Sequence, residues 1–276
     1  GRDTAAACAL GAAIVKARCE NGSFCILTAD HVIKDLDVFR QTLEEGFALA
    51  EQDASLVTIG ITPTFASTGF GYIECGDTID SGGEIAFRAA KRFVEKPDAT
   101  TAQGYVDSGD FFWNSGMFIW SADALLKALG AFQPPLLAMA EAMQSVVDTA
   151  SFDERLAEEY GKLGKISIDY AVMEKADNIV TASGAFGWFD VGSWPALEDH
   201  FDKDEAANVA IGDCKALDAT GNIVVSNGRL TALIGVSDLV VVQADGVTMI
   251  CPKDRAQEVK AMVQLLDSDG GYDGVL

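Results

Sequence analysis

The sequence predicts an α/β protein: a mixed, mostly parallel sheet with helices on both faces, joined to a small C-terminal β domain. Three observations predict it. Residues 1–61 read as helix, strand, helix, strand, an order that implies a parallel sheet covered by helices. A long apolar and aromatic run, Phe111 to Trp120, follows a short strand-like run, Arg92 to Glu95. From Asp202 onward the texture changes to short β runs separated by turns, so the domains divide as 1–201 and 202–276.

The first element is Ala-rich, Gly1 to Arg18, and Asp3 or Thr4 can cap it as a helix. Its small residues on every face suit close packing on a sheet. Phe24 to Thr28 reads as a buried strand with Ala29-Asp30-His31 at its carboxyl end. Asp35 caps a second helix reaching about Gln52, with Leu36, Phe39, Leu43 and Phe47 on one face. Ser55 to Ile61 is the next strand. Pro63 ends it, and Gly69 and Gly71 flank Phe70 in a glycine-rich turn. Glu74 to Ala90 reads as a solvent-exposed hairpin turning at Gly82-Gly83.

Pro97 forces the chain out of the sheet, and a polar segment leads to Phe111. Asn114-Ser115-Gly116 then interrupts the aromatic run. A structural strand gains nothing from a central Gly, which often marks close backbone approach. Ser121 begins a helix that ends near Pro134-Pro135, and residues 136–161 are mainly amphipathic helix. Ser167 caps a further helix, with Tyr170, Val172 and Met173 inward and Asp169 in its first turn. Asn178 to Ala182 is a short strand. Asp190 sits between Phe189 and Val191, and Ser193 caps the helix that Pro195 helps start. In the last domain the turns Thr220-Gly221-Asn222, Asn227-Gly228 and Asp245-Gly246 recur. An amphipathic helix spans Lys253 to Leu266, and a frayed tail follows it.

Composition narrows the function. The formal net charge of -22 argues against a nucleic-acid or anionic-membrane surface, but not against a phosphate held by a few local cations. The six cysteines lack Cys-x-x-Cys spacing and read as reduced core residues, not as a disulfide frame or a zinc site. No signal peptide or long apolar span appears, so the chain reads as soluble and cytoplasmic. Asp30 and Asp190 each follow a strand-like run. Ligands of open α/β sheets bind outside the carboxyl ends of strands, and two aspartates meeting there can hold Mg²⁺.

The motifs ADH, TGFGYI, FVEKP, WNSGMF and FDVGSW stand in this order along the chain. In that order they resemble the sugar-nucleotide pyrophosphorylases, most closely the mannose-1-phosphate guanylyltransferases, from Gly1 to about Gln264. The resemblance implies the nucleotide-diphospho-sugar transferase fold, which is Rossmann-like, with a partial β-helix at its end. It implies Mg²⁺-dependent transfer from GTP to mannose 1-phosphate, releasing pyrophosphate and leaving GDP-mannose. Asp30 and Asp190 then hold the metal, and Lys96 holds the sugar phosphate. Glu95 and Asn114 bond sugar hydroxyls, Gly71 lets the backbone approach the sugar, and Asp169 borders the pocket. Arg2, Asp3 and Thr4 resemble the family's Arg-Asn-Thr segment near the guanine. The family's glycine-rich loop with an Arg and a Lys is not found in this sequence, which is read as a truncated start or a lost element. That reading keeps an alternative open: a catalytically silent sugar-nucleotide-binding or regulatory subunit. A pyrophosphorylase for another sugar 1-phosphate or base is a second alternative. A homodimer is left open.

Overall fold

The computed structural model describes every residue except Ser193, His200, Asp245, Asp273, Val275 and Leu276. The expected cap at Ser193 and the Asp245 turn position therefore lie outside the described residues. Backbone contacts divide the chain into two units: Gly1–Ala29 with Ile33–Trp188, and Asp30–Val32 with Phe189–Leu276. This division falls earlier than the change in composition at Asp202, and it assigns both Asp30 and Asp190 to the second unit.

The first elements are α1 (Asp3–Arg18), β1 (Ser23–Ile26), β2 (His31–Ile33), α2 (Leu36–Asp53), β3 (Leu56–Ile61), β4 (Gly71–Ile79) and β5 (Phe87–Val94). After them come α3 (Ala99–Ser108), β6 (Phe111–Ser121), α4 (Ala122–Phe132), α5 (Pro134–Gln144) and α6 (Phe152–Gly161). A π-helical turn (Asp169–Met173), β7 (Ile179–Ser183) and β8 (Trp188–Asp190) complete this part. A six-stranded sheet has the order β1-β6-β3-β7-β5-β4, and β2 pairs with β8 separately.

The sheet is mixed, as expected, but its neighbours are mostly antiparallel. Among its described pairings only β3–β7 is parallel. The pairings give β1, β3, β4 and β7 one direction and β5 and β6 the other. The alternation argument assumed that a helix returns the chain after every strand. Here β4 and β5 form a hairpin, and β6 runs against β1 and β3 between them.

Strand alternation sends side chains to both faces. Leu56, Phe118 and Trp120 join α1, α4 and α5 in one core, while Val57, Ile59 and Ile119 join α2 and α3 in the other. In α1 the buried Ala5, Ala6, Ala9, Ala12 and Ala13 allow close packing, mainly on α4 and α5 and less on the sheet. Asp35 caps α2 as expected, accepting from the Asp37 and Val38 amides at 3.2 and 3.1 Å.

Several local expectations change. Leu36 points out, 63% exposed, because it sits at the first turn outside the packed face. The hairpin is exposed at its tip, residues 80–84, as expected, but its base enters the sheet, where Cys75 and Phe87 are buried. The polar segment after Pro97 is a helix, α3, which Asp98 caps through the Thr101 amide at 2.9 Å. Among the cysteines, all of them free, Cys19 is exposed. No described helix is long and apolar enough to cross a membrane.

In the second unit, β9 (Val209–Ile211), β10 (Cys214–Leu217), β11 (Ile223–Ser226), β12 (Thr231–Ile234), β13 (Leu239–Ala244) and β14 (Val247–Pro252) follow one another. A 3-10 turn, Lys253–Glu258, leads to α7 (Val259–Asp269), so the helix extends past the expected start of the tail. The pairs β9–β11, β11–β13 and β10–β12 are parallel, and Val209, Ile223 and Val240 stack in register. These are the stacked coils of a β-helix. Buried asparagines lock successive turns together. Asn208 Oδ1 accepts from the Asn222 amide and from its Nδ2, both at 2.9 Å, and Asn222 Oδ1 accepts from the Leu239 amide at 3.0 Å.

Candidate active site

In the first unit, β6 supplies the centre of the candidate site. Its register against β3 moves from Thr58↔Phe118 to Gly60↔Asn114. Ser115, Gly116 and Met117 therefore oppose the single residue Ile59, a special β-bulge with two extra residues. The Asn-Ser-Gly sequence explains how the bulge is tolerated. Gly116 takes φ +71°, a left-handed conformation that costs a glycine little. The Ser115 hydroxyl donates to the Ile59 carbonyl at 2.6 Å, satisfying a buried group that the bulge leaves without a strand partner.

The bulge presents Asn114. Its Nδ2 donates to Asp169 Oδ1 at 2.8 Å, and its Oδ1 accepts from the Gly116 amide at 3.2 Å. Asp169 opens the π-helical turn, which the Glu174 amide closes onto the Asp169 carbonyl at 2.9 Å. Such turns often sit at functional sites. The expected helix is therefore a single wide turn. Ser167 does contribute, accepting from the Tyr170 amide at 3.3 Å. Tyr170 is 48% exposed and not inward, because the π geometry rotates it away from Val172 and Met173.

Glu95 and Lys96 complete this group. They form an ion pair in which the Glu95 side chain is 15% exposed and that of Lys96 is 60% exposed. Lys96 precedes Pro97 and takes φ +47°, a strained conformation for a side-chain-bearing residue. Gly71 makes the space. A Cβ there would stand 2.5 Å from Glu95 Oε2 and 3.5 Å from the Asn114 Cβ. In this structure the missing Cβ of Gly71 admits the Glu95 carboxylate.

The electrostatics tie these groups together. Burial, and then the charge of Glu95, push the Asp169 carboxyl above its usual range, while the Asn114 bond and Lys96 oppose the shift. The hydrogen bond to Glu95 pushes the Lys96 ammonium up, and Tyr170 and Asp169 add to the effect. Glu174, which sequence reasoning missed, also rises through burial and then through Glu95 and Asp169. Burial raises Cys8 of α1 to about 12, and Asp169 adds to it, so α1 lies beside the same carboxylate.

The start of α1 is braced against the segment before the π turn. Arg2 Nε donates to the Tyr160 carbonyl at 2.9 Å, and the Ile168 amide donates to Thr4 Oγ1 at 2.8 Å. Asp3 takes φ +65° and accepts from the Thr4 amide at 2.9 Å. Neither Asp3 nor Thr4 caps α1 with its side chain, because Thr4 is engaged elsewhere and Asp3 bonds only its neighbour.

In the second unit, Asp30, His31 and Asp190 form a separate group. The Val191 amide donates to the Asp30 carbonyl at 3.2 Å, and Asp190 Oδ1 accepts from the Gly192 amide at 2.7 Å. Burial lowers the His31 pKa, against the opposing charges of Asp190 and Asp30. Both carboxylates therefore bear on one imidazole. Among the described residues, no group of three or more His, Cys, Asp or Glu side chains is placed to hold a metal ion. His200 lies outside the described residues.

Comparison with known proteins divides the chain later than the backbone contacts do, between residues 207 and 212. A family profile described as "Nucleotidyl transferase" matches residues 1–207, and one described as "MannoseP isomerase/GMP-like beta-helix domain" matches residues 212–266. A "Mannose-1-phosphate guanylyltransferase" of Salmonella montevideo is 37% identical over 278 residues, covering 100% of this chain and 58% of the relative. "Xanthan biosynthesis protein XanB" of Xanthomonas campestris pv. campestris is 39% identical, covering 98% of this chain and 56% of the relative. The chain thus spans a little over half the length of these curated relatives. The solved structure of a "mannose-1-phosphate geranyltransferase" from Thermus thermophilus is 34% identical with a TM-score of 0.82, covering 97% of this chain and 76% of that one. A "mannose-6-phosphate isomerase" from Helicobacter pylori is 30% identical with a TM-score of 0.57, covering 68% of this chain and 71% of that one.

Proposed function

Because the chain belongs to the nucleotidyl transferase family, we propose that it makes GDP-mannose and pyrophosphate from GTP and mannose 1-phosphate. The observation that carries the reading is the convergence of Glu95, Lys96, Asn114 and Asp169 around Gly71. Separate segments supply a cation, an amide and two carboxylates to one partly buried place. That set suits a polyhydroxyl ligand bearing a phosphate. The nucleotide assignment follows from what the relatives are called.

A phosphate oxygen of the sugar phosphate attacks the α-phosphorus of GTP. The new O–P bond forms as the bond to the β-phosphate oxygen breaks, and pyrophosphate leaves. No protein nucleophile is required, so the protein's task is to position two anions and stabilise developing charge. Lys96 holds the sugar phosphate as a point charge. Glu95 and Asp169 accept hydrogen bonds from sugar hydroxyls, and Asn114 donates one. Asp3, an exposed carboxylate, is the member of the opening Arg-Asp-Thr that we assign to the guanine edge. Arg2 and Thr4 brace it through the backbone of residues 160–168.

Asp30 and Asp190 fit a divalent cation in their chemistry. Both are hard oxygen donors, and a set of two carboxylates leaves positions for water and phosphate oxygens, as Mg²⁺ prefers. When bound, Mg²⁺ supplies charge neutralisation at the phosphate oxygens.

Product analysis tests the whole reading. The full protein is incubated with mannose 1-phosphate, Mg²⁺ and each nucleoside triphosphate in turn. GDP-mannose formed from GTP in preference to the others supports it. A clear preference for another triphosphate refutes the guanylyl assignment. No product with any of them points to the silent subunit.

A further inference from the structure

Thr58 is a polar residue in the middle of an apolar strand. Leu56, Val57 and Ile59 around it are fully buried, and so is Thr58 itself. A valine has the same shape and avoids the cost of burying a hydroxyl, so the hydroxyl needs a reason. Its surroundings supply one. Thr58 Oγ1 stands 3.3 Å from Asn114 Oδ1 and 3.3 Å from the Met117 carbonyl, both on the bulged part of β6. The Gly116 amide donates to the same Asn114 oxygen. The Gly116 amide and the Thr58 hydroxyl, whose single proton is shared between Asn114 Oδ1 and the Met117 carbonyl, therefore both face Asn114 Oδ1, and Nδ2 is turned to Asp169.

We propose that Thr58 is a positioning residue for the sugar phosphate, locking the Asn114 carboxamide so that it meets the ligand only as an N–H donor. The proposal rests on the reading that this group of residues holds a sugar 1-phosphate. It deepens that reading in one respect. With Oδ1 occupied by Thr58 and Gly116, the second Nδ2 proton is the part of Asn114 left for the ligand. The sugar hydroxyl that meets Asn114 is thus a hydrogen-bond acceptor, while the hydroxyls facing Glu95 and Asp169 are donors. Thr58 touches no substrate in this scheme, and it acts through the orientation of Asn114.

The test compares Thr58→Val and Thr58→Ser in the full protein. Thr58→Val should raise the Kd and KM for mannose 1-phosphate about five- to tenfold, the effect of one net hydrogen bond. Thr58→Ser keeps the hydroxyl and should stay within about twofold of the parent protein. The KM for GTP should not move in either variant. Unchanged sugar-phosphate affinity in Thr58→Val overturns the proposal. So does equal damage from Thr58→Ser, or an equal rise in the GTP constant, since either marks a packing defect. A second readout needs no ligand. In the free, ¹⁵N-labelled protein the Asn114 side-chain amide should exchange with solvent at least about tenfold faster in Thr58→Val. Unchanged exchange overturns the relay. If the parent protein does not bind mannose 1-phosphate, the functional reading has failed, and the amide exchange alone decides the relay.

Discussion

Both units fix an asparagine among strands, Asn222 buried and Asn114 half-buried, and they put it to opposite uses. In the β-helix, Asn222 spends every polar atom on backbone or on Asn208: its Nδ2 reaches Asn208 and the Val236 carbonyl, and its Oδ1 takes the Leu239 amide. The network closes on itself and staples one coil to the next. In the first unit, Asn114 also fixes its oxygen on the strand framework, but its nitrogen leads outward to Asp169. From there the contacts run to groups whose charges are perturbed, Asp169, Lys96 and Glu174. The difference separates structure from chemistry. A closed amide network stabilises a fold, whereas an open one leaves a fixed donor for the ligand proposed above.

The largest expected effect lies outside both networks and sets the scale for them. Asp190→Ala should lower turnover about a thousandfold or more, as expected when charge stabilisation at the reacting phosphates is lost. Its melting temperature should stay near that of the parent. Pyrophosphate release and thermal melting check the two halves, and a large fall in melting temperature would make Asp190 structural.

Next, Asn222→Ala should destabilise the second unit by about 2–3 kcal/mol, because it leaves buried amide and carbonyl groups unsatisfied. Scanning calorimetry should show the loss, with affinity for mannose 1-phosphate intact. Asn114→Ala should do the reverse. The sugar-phosphate Kd should rise about tenfold, with a smaller stability change than Asn222→Ala. If the two variants behave alike in both assays, the contrast between open and closed networks fails.

The smallest effect is a pH dependence. The folded-state pKa of Asp169 is raised, first by burial and then by Glu95. Stability from this group is complete below the ordinary carboxylate value of ~4 and is lost as pH rises through the raised folded value. Asp169→Asn removes that loss. The variant should melt slightly above the parent at neutral pH, and the two should converge at acid pH. Melting curves over that range check it. A variant less stable at neutral pH would mean that the carboxylate is worth more to the fold than its burial costs.

Much of this was legible in the sequence, for identifiable reasons. Asp35 announced itself as a cap, and the apolar run from Ser55 to Ile61 read as a strand. Asn-Ser-Gly stood out because it contradicts its own aromatic neighbours, and it marks the bulge. Thr58 was not legible. One hydroxyl among Leu56, Val57 and Ile59 is ordinary in a strand, since Thr favours strands on shape alone. Its meaning depends on a partner 56 positions away. The helix α3 was hidden by its polar, Thr-containing start, although Asp98 behind Pro97 was a usable cap signal. The neighbour directions of the sheet also escaped local reading, because β6 pairs with β1, β3 and β4, which lie far apart along the chain.

The central claim is the proposal that this protein recognises a nucleotide-activated mannose and needs a divalent cation to do so. Calorimetric titration of the full protein with GDP-mannose, with and without Mg²⁺, tests it most directly. The account predicts binding that depends on Mg²⁺. Absence of binding in both conditions would contradict it.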